Sequence, residues 1–295
     1  MGHKSGFISI IGKPNVGKST LMNAITGASL SIVTPKAQTT RHRIKGILNT
    51  ENLQLVFSDT PGILEPHYLL HQKMMDFVKA SLDDADVVLL ITDLTETYMD
   101  ESFREKMKGI STPLIVIINK IDLSTENEVN KLLHGWKKHL SPHAVIPVSA
   151  KEKFNLQIIL DSIVELIPES PPYFSKEHLS DATERFFVSE IIREKIFLNY
   201  QEEIPYSTEV SIEAFKDEGK LVRINAVISV ERDSQKAIII GRKGESIKKV
   251  GTEARKDIES FLGKKVFLET FVRVEKDWRK KENKLRNFGY SSGSQ

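Results

Sequence analysis

Residues Gly12–Ser19 read GKPNVGKS and fit the spacing G-x-x-x-x-G-K-[ST]. That spacing serves to cradle a polyphosphate. Glycines at Gly12 and Gly17 let the backbone through Lys13, Pro14, Asn15 and Val16 wrap an anion with its amide N–H groups turned inward. Lys18 is then placed to bridge β- and γ-phosphates, and the Ser19 hydroxyl to ligate Mg2+. A helix opening at Lys18, Ser19 and Thr20 turns its positive dipole end to the same anion.

Three further groups follow in order. Asp59-x-x-Gly62 has the spacing of a γ-phosphate sensor, but the next residue is Ile63, whose aliphatic side chain cannot orient a water. Asn119-Lys120-Ile121-Asp122 supplies a carboxylate that can accept from both N1–H and the exocyclic amine of guanine. Adenine lacks that donor pair and would leave the carboxylate unsatisfied, at a cost of about 1–3 kcal/mol or more. Asn119 is expected to tie this loop to the phosphate loop, and the Lys120 stem to cover the base. Ser149-Ala150-Lys151 brings an amide, that of Ala150, to guanine O6.

These groups need strands and helices to converge. Phe7–Ile11, Leu53–Asp59, Val87–Thr92 and Leu114–Asn119 are nearly continuous apolar runs rich in Val and Ile. They predict buried parallel strands, with Arg43–Asn49 as an edge strand and Val145–Ser149 as the last. Amphipathic segments at Leu69–Leu82, Glu101–Lys108, Glu128–Leu140 and Leu156–Ile167 predict the crossover helices. Each motif then sits at the C-terminal end of a strand, where an open α/β sheet binds its ligands.

The stretch Pro168–Asp181 holds three prolines and breaks the alternation. Beyond it the order changes. A helix begins near Asp181, strands follow at Ser207–Phe215 and Leu221–Val230, then a short helix near Ser234–Ile239, a glycine loop, a helix Glu245–Leu262 and a strand Val266–Val274. Gly251 within that last helix predicts a bend or a close packing contact. The polar end Asn287–Gln295 is expected to fray. Domain boundaries follow at 1–170, a linker at 171–181, and 182–295.

Composition narrows the chemistry. The chain has no cysteine, which excludes disulfides and thiol catalysis. No apolar run approaches about 18 residues, so no membrane span is expected. The N-terminus enters a strand directly, without signal-peptide anatomy, and the expected location is the cytoplasm. A net charge of +2 hides an uneven split. Asp181–Ile240 carries 8 Lys/Arg against 12 Asp/Glu, whereas Gly241–Arg286 carries 15 against 8. That basic end suits either a polyanion or a solvated helix face.

The ordered motifs, the segment Lys36–Gly46 (KAQTTRHRIKG) and the C-terminal half resemble the Era family of ribosome-associated GTPases across essentially the whole chain. The resemblance implies a P-loop GTPase domain with a doubly wound, mostly parallel α/β sheet, plus an α+β type II KH domain. By position it implies that Thr40, or its neighbour Thr39, ligates Mg2+ when GTP is bound. Asp59 would hold the ion through a water, and the Gly62 amide would contact the γ-phosphate. GDP, lacking that phosphate, would release both segments.

The Ile63 position leaves three readings: a packing residue in a slow enzyme, charge supplied by a cation, or a residue supplied by a partner. The resemblance implies a potassium ion held by Asn15. Gly241-Arg242-Lys243-Gly244 joins two helices, the setting of a KH loop that clamps about four nucleotides. Arg242, Lys243, Lys248 and Lys249 would neutralise phosphates, and Ile239, Ile240 and Ile247 would floor the site. Trp278 suits base stacking or internal anchoring.

The resulting expectation is a GTP-driven, RNA-binding monomer. The resemblance implies that it binds the 3′ end of small-subunit (16S) ribosomal RNA, assists assembly of that subunit and touches the inner membrane face peripherally. Other readings are a GTPase acting on a different RNA, or a GTP-gated RNA latch with negligible turnover.

Overall fold

The computed structural model describes residues 2–95, 105, 107 and 109–291. The chain divides into two compact units. The first comprises Met1–Ser31, Thr40–Glu65 and Met74–Asp181; the second comprises Ile32–Thr39, Pro66–Lys73 and Ala182–Gln295.

The first unit is built on six strands: β1 (Lys4–Ile11), β2 (Ile44–Asn49), β3 (Leu53–Asp59), β4 (Val87–Thr92), β5 (Leu114–Ile118) and β6 (Ala144–Pro147). Their order is β2-β3-β1-β4-β5-β6. Only β2 runs antiparallel, at the edge against β3; the other pairings are parallel. β4 is buried along its whole length, as a strand covered on both faces must be. The order reverses at β1, which lies between β3 and β4, and a crevice for ligands forms at such a switch point.

Helices α1 (Lys18–Thr26), α2 (Leu69–Asp83), α3 (Glu126–Leu140) and α4 (Leu156–Leu166) accompany these strands. The start of α3 lies two residues before the expected Glu128, because Glu128 reaches back to accept from the Thr125 N–H at 2.9 Å. That contact satisfies an orphan donor of the first turn. Trp136 and Leu132 on α3 pack with Val88, Leu90, Val116 and Ile118 of the sheet. The helix expected at Glu101–Lys108 falls largely outside the described residues.

Residues 168–181 do not hang free. The Gln54 carboxamide accepts from the Tyr173 and Phe174 amides at 2.7 and 2.9 Å and donates to the Phe174 carbonyl at 2.9 Å. Further along, Ile47 N–H donates to Leu179 O and Lys45 pairs with Asp181 at 2.7 Å. The segment thus satisfies edge groups of β2 that would otherwise stand open.

In the second unit, residues 182–291 form α5 (Glu184–Asn199), a one-turn α6 (Ile204–Ser207), β7 (Glu209–Asp217), β8 (Leu221–Val230), α7 (Asp233–Ile240), α8 (Glu245–Leu262), β9 (Lys265–Val274) and a short α9 (Glu282–Asn287). β8 pairs antiparallel with β7 and parallel with β9. One face of this sheet, through Val222, Ile224, Ala226, Ile228 and Val230, packs on Val188, Ile192 and Ile196 of α5 and Ala254 and Ile258 of α8.

Two expectations change here, and the two readings of Trp278 narrow to internal anchoring. β7 begins at Glu209, not Ser207, because Ser207 closes the turn of α6. Gly251 makes no close contact: an added Cβ would meet nothing nearer than Thr270 Oγ1, at 3.9 Å. Trp278 is fully buried and donates its indole N–H to Ser207 O at 2.9 Å, so it anchors the chain and is not open for stacking.

Candidate functional site

Strand β1 ends at Ile11 and α1 starts at Lys18, so Gly12–Gly17 must turn the chain sharply. Asn15 and Gly17 take left-handed backbone angles, at φ +65° and +101°. The Lys18 side chain is 6% exposed and folds back over the loop, its ammonium donating to Gly12 O at 3.1 Å and Lys13 O at 2.8 Å. Thr20 follows Ser19 in the first turn of α1.

Three oxygen-bearing side chains meet beside this loop. Ser19 Oγ donates to Asp59 Oδ2 at 2.6 Å and lies 2.9 Å from Thr40 Oγ1, which itself donates to Asp59 at 3.4 Å. Thr39 is engaged elsewhere, with Thr34 and the Lys36 carbonyl. Asp59 is buried and its Oδ1 has no hydrogen-bond partner among the described residues. Burial pushes its pKa up, only partly opposed by the Ser19 hydroxyl and the Lys18 charge. A dication would relieve that penalty. One carboxylate and two hydroxyls, with phosphate oxygens completing the shell, are a donor set suited to Mg2+.

The Asp59–Gly62 segment is fastened to the phosphate loop. A Cβ at Gly62 would lie 2.7 Å from Pro14 N, and Ile63 N–H donates to Gly12 O at 3.0 Å. The Ile63 side chain packs against the core cluster that contains Ile11 and Val78. It is a packing residue.

Asn119 joins three loops. Its Nδ2 donates to Val16 O at 2.8 Å and its Oδ1 accepts from Ala150 N at 3.0 Å. The Ala150 amide, expected to face guanine O6, is therefore engaged by Asn119. Asp122 is oriented by Ser149 Oγ, which donates to Oδ1 at 2.6 Å, and the exposed Lys151 follows. Lys120 has φ +64° and pairs with Asp93 at 2.7 Å. Burial alone would raise the Asp93 pKa, but its bonds to Lys120 and Thr95 outweigh it and hold the group below its ordinary value. Asp93 escaped the sequence reading, although it directly follows β4 at the same sheet edge as the other loops.

The second glycine loop lies between α7 and α8. Gly241 has φ +72°, Lys243 φ +51° and Gly244 φ +77°. A Cβ on Gly241 would come within 2.1 Å of Ser246 Oγ, so the chain turns there only with glycine. Arg242, Lys243, Lys248 and Lys249 are exposed. Ile240 and Ile247 are half-buried, but Ile239 is 1% exposed and sits in the core. Its side chain does not floor an open site. Ile238, 50% exposed, is the large apolar residue that α7 leaves open. Three consecutive isoleucines in a two-turn helix give no phase, so sequence periodicity could not choose among them.

A model of the family described as 50S ribosome-binding GTPase matches residues 7–120, and a KH domain model matches residues 203–279. GTPase Era of Staphylococcus haemolyticus is 43% identical over 291 residues, covering 98% of this chain and 97% of that protein. GTPase Era of Syntrophus aciditrophicus is 45% identical over 292 residues, covering 98% and 95%. A crystal structure of Era with MgGDPNP and nucleotides 1506–1542 of 16S ribosomal RNA superimposes with a TM-score of 0.93 at 38% identity, covering 98% of this chain and 99% of that one. A variant of Aquifex aeolicus Era bound to GDP and AlF4− gives the same TM-score, identity and coverage.

Proposed function

Because the chain belongs to the Era family of GTPases, we propose that it is a GTP-hydrolysing switch that binds the 3′ end region of 16S ribosomal RNA and assists assembly of the small ribosomal subunit. The observation that carries this reading is one chain holding both a guanine-type phosphate site and an exposed basic Gly-x-x-Gly turn. The similar Era structure holds that ribosomal RNA segment together with MgGDPNP.

In this reading Gly12–Thr20 wraps the phosphates, and Lys18 neutralises charge that develops on them. Asp122 selects guanine, held by Ser149, while Asn119 and Lys120 lock its loop. Ser19, Thr40 and Asp59 would hold Mg2+, which when bound neutralises charge on the β- and γ-phosphate oxygens. Thr40 and the Gly62 amide respond to the γ-phosphate. The expected RNA contacts are Gly241, Arg242, Lys243, Gly244, Lys248 and Lys249, with Ile238, Ile240 and Ile247 beneath the bases. A fluorescent oligonucleotide ending in the 3′ sequence of 16S RNA should bind at least about tenfold more tightly than a scrambled one of equal length. Equal binding would move the choice to another RNA.

Ile63 lies against the core and has no group to position water, so basal turnover is slow. The reading includes a potassium ion beside Asn15, an exposed residue of the phosphate loop. Steady-state hydrolysis should be at least about fivefold faster in KCl than in NaCl; equal rates would remove potassium from the account. The protein acts as a cytoplasmic monomer. Among the described residues no helix is long and apolar enough to cross a membrane. Peripheral contact with the inner membrane face would run through the basic Gly241–Arg286 region, and flotation with anionic vesicles would reveal it.

A further inference from the structure

The second unit contains a link that neither the nucleotide site nor the RNA loop explains. Residues 34–39 form a tight turn: Thr34 Oγ1 lies 2.6 Å from Thr39 Oγ1, Thr39 Oγ1 donates to Lys36 O at 2.6 Å, and Lys36 N donates to Thr34 Oγ1 at 3.2 Å. From this turn the Lys36 ammonium donates to Phe197 O at 2.5 Å and to Tyr200 O. Both are carbonyls at the C-terminal end of α5, where the helix dipole favours a cation.

Tyr200 carries the contact onward. Its ring is buried in the core and its Oη donates to Ile239 O at 2.6 Å. Burial pushes the phenol up to about 12, so it remains a donor. Ile239 lies in the last turn of α7, and Gly241 caps that helix by donating its N–H to Ala237 O. A single residue, Ile240, therefore separates the accepting carbonyl from the first glycine of the Gly-x-x-Gly loop. The turn has a second anchor. Arg193, paired with Glu190 and fully buried, donates to Thr39 O at 2.5 Å. Thr39 is joined by one peptide bond to Thr40, whose hydroxyl contacts Ser19 and Asp59.

We propose that Lys36 and Tyr200 are positioning residues that transmit the conformation of the 34–40 segment to the Gly241–Gly244 loop, making RNA affinity depend on the bound nucleotide. This rests on the reading of Thr40 as γ-phosphate-responsive and of Gly241–Gly244 as RNA-binding. A displacement of the 34–39 turn pulls on the end of α5. Through the Tyr200 hydroxyl it also acts on the last turn of α7, which sets the angle at which the glycine loop leaves. Because the link consists of side chains bonded to backbone carbonyls, it is removable without touching either site.

The test is the affinity of the full chain for a 3′-terminal 16S RNA oligonucleotide, measured with a non-hydrolysable GTP analogue and with GDP. Wild type should show a ratio of about 5–150 between the two states. Tyr200→Phe, which removes one oxygen, should bring the ratio to within about twofold of unity while leaving basal GTP turnover unchanged. Lys36→Met should do the same, and the double variant should be no worse than either single one, as expected for two members of one link. Circular dichroism melting of each variant checks the fold; Lys36→Met provides the answer if Tyr200→Phe unfolds. A wild-type ratio retained in both folded variants overturns the link. So does wild type that binds the oligonucleotide equally in both states, though RNA binding then stands. Failure of wild type to bind the oligonucleotide at all is a failure of the function reading.

Discussion

Asp122→Asn should lower GTP affinity by about 30- to 1000-fold and raise affinity for xanthosine triphosphate. The carboxylate offers two acceptors to N1–H and the exocyclic amine of guanine. An asparagine places an NH2 group against that amine, so one donor pair is lost and two donors face each other. Xanthine carries a carbonyl where guanine carries the amine, and the same NH2 then has an acceptor. The Ser149 hydroxyl that orients Asp122 at 2.6 Å can still donate to the asparagine carbonyl, so the loop survives. Calorimetric titration with both nucleotides reads the swap directly. Unchanged GTP affinity would mean that Asp122 does not face the base.

Gly17→Ala should abolish measurable GTP binding at micromolar protein and destabilise the first unit by roughly 2–4 kcal/mol. Two effects add. Gly17 has φ +101°, outside the range an alanine adopts without strain. Its Cβ would also come within 2.2 Å of Asn119 Nδ2, the atom that donates to Val16 O. That carboxamide cannot move away cheaply, because its oxygen accepts from the Ala150 amide. One methyl group therefore pries apart the phosphate loop, the Asn119 loop and the Ser149–Lys151 loop together. Gly27→Ala is the matched control, since its Cβ would meet nothing within 4 Å although its φ is also positive, +71°. Titration with a fluorescent GTP analogue and a thermal melt would separate the two; equal losses in both variants would assign the effect to backbone strain alone.

Much of this site is readable from residue order, for a physical reason. Phosphate and guanine recognition use backbone turns and single polar groups at the ends of buried strands, and both leave local marks. Gly12–Ser19, Asp59–Gly62 and Asn119–Asp122 carry their chemistry within a few residues, and the apolar runs before them identify the strands. The edge strand β2 is legible in its alternation. The α-β-β-α-α-β order of the second half is legible too, because each element has its own period.

What escaped depends on distant pairing. Gln54 fastens Tyr173 and Phe174, more than a hundred residues away, and a single glutamine in a strand gives no sign of it. Segments 32–39 and 66–73 belong with residues beyond 182, although their sequence lies among the GTPase motifs. The Lys36 and Arg193 contacts that fasten the first of them are to backbone carbonyls, which no side-chain pattern announces. Ile239 shows the same limit: its burial follows from what packs over it, in a segment too short to show a phase.

The central claim is that one chain couples a GTP site to an RNA site. Its most direct test is the affinity of the full protein for a non-hydrolysable GTP analogue, with and without a saturating 3′-terminal 16S RNA oligonucleotide. Linkage requires the effect to be reciprocal. The oligonucleotide should change nucleotide affinity by about 5–150-fold, and the nucleotide should change oligonucleotide affinity by the same factor. Identical nucleotide affinity with and without bound RNA would contradict it.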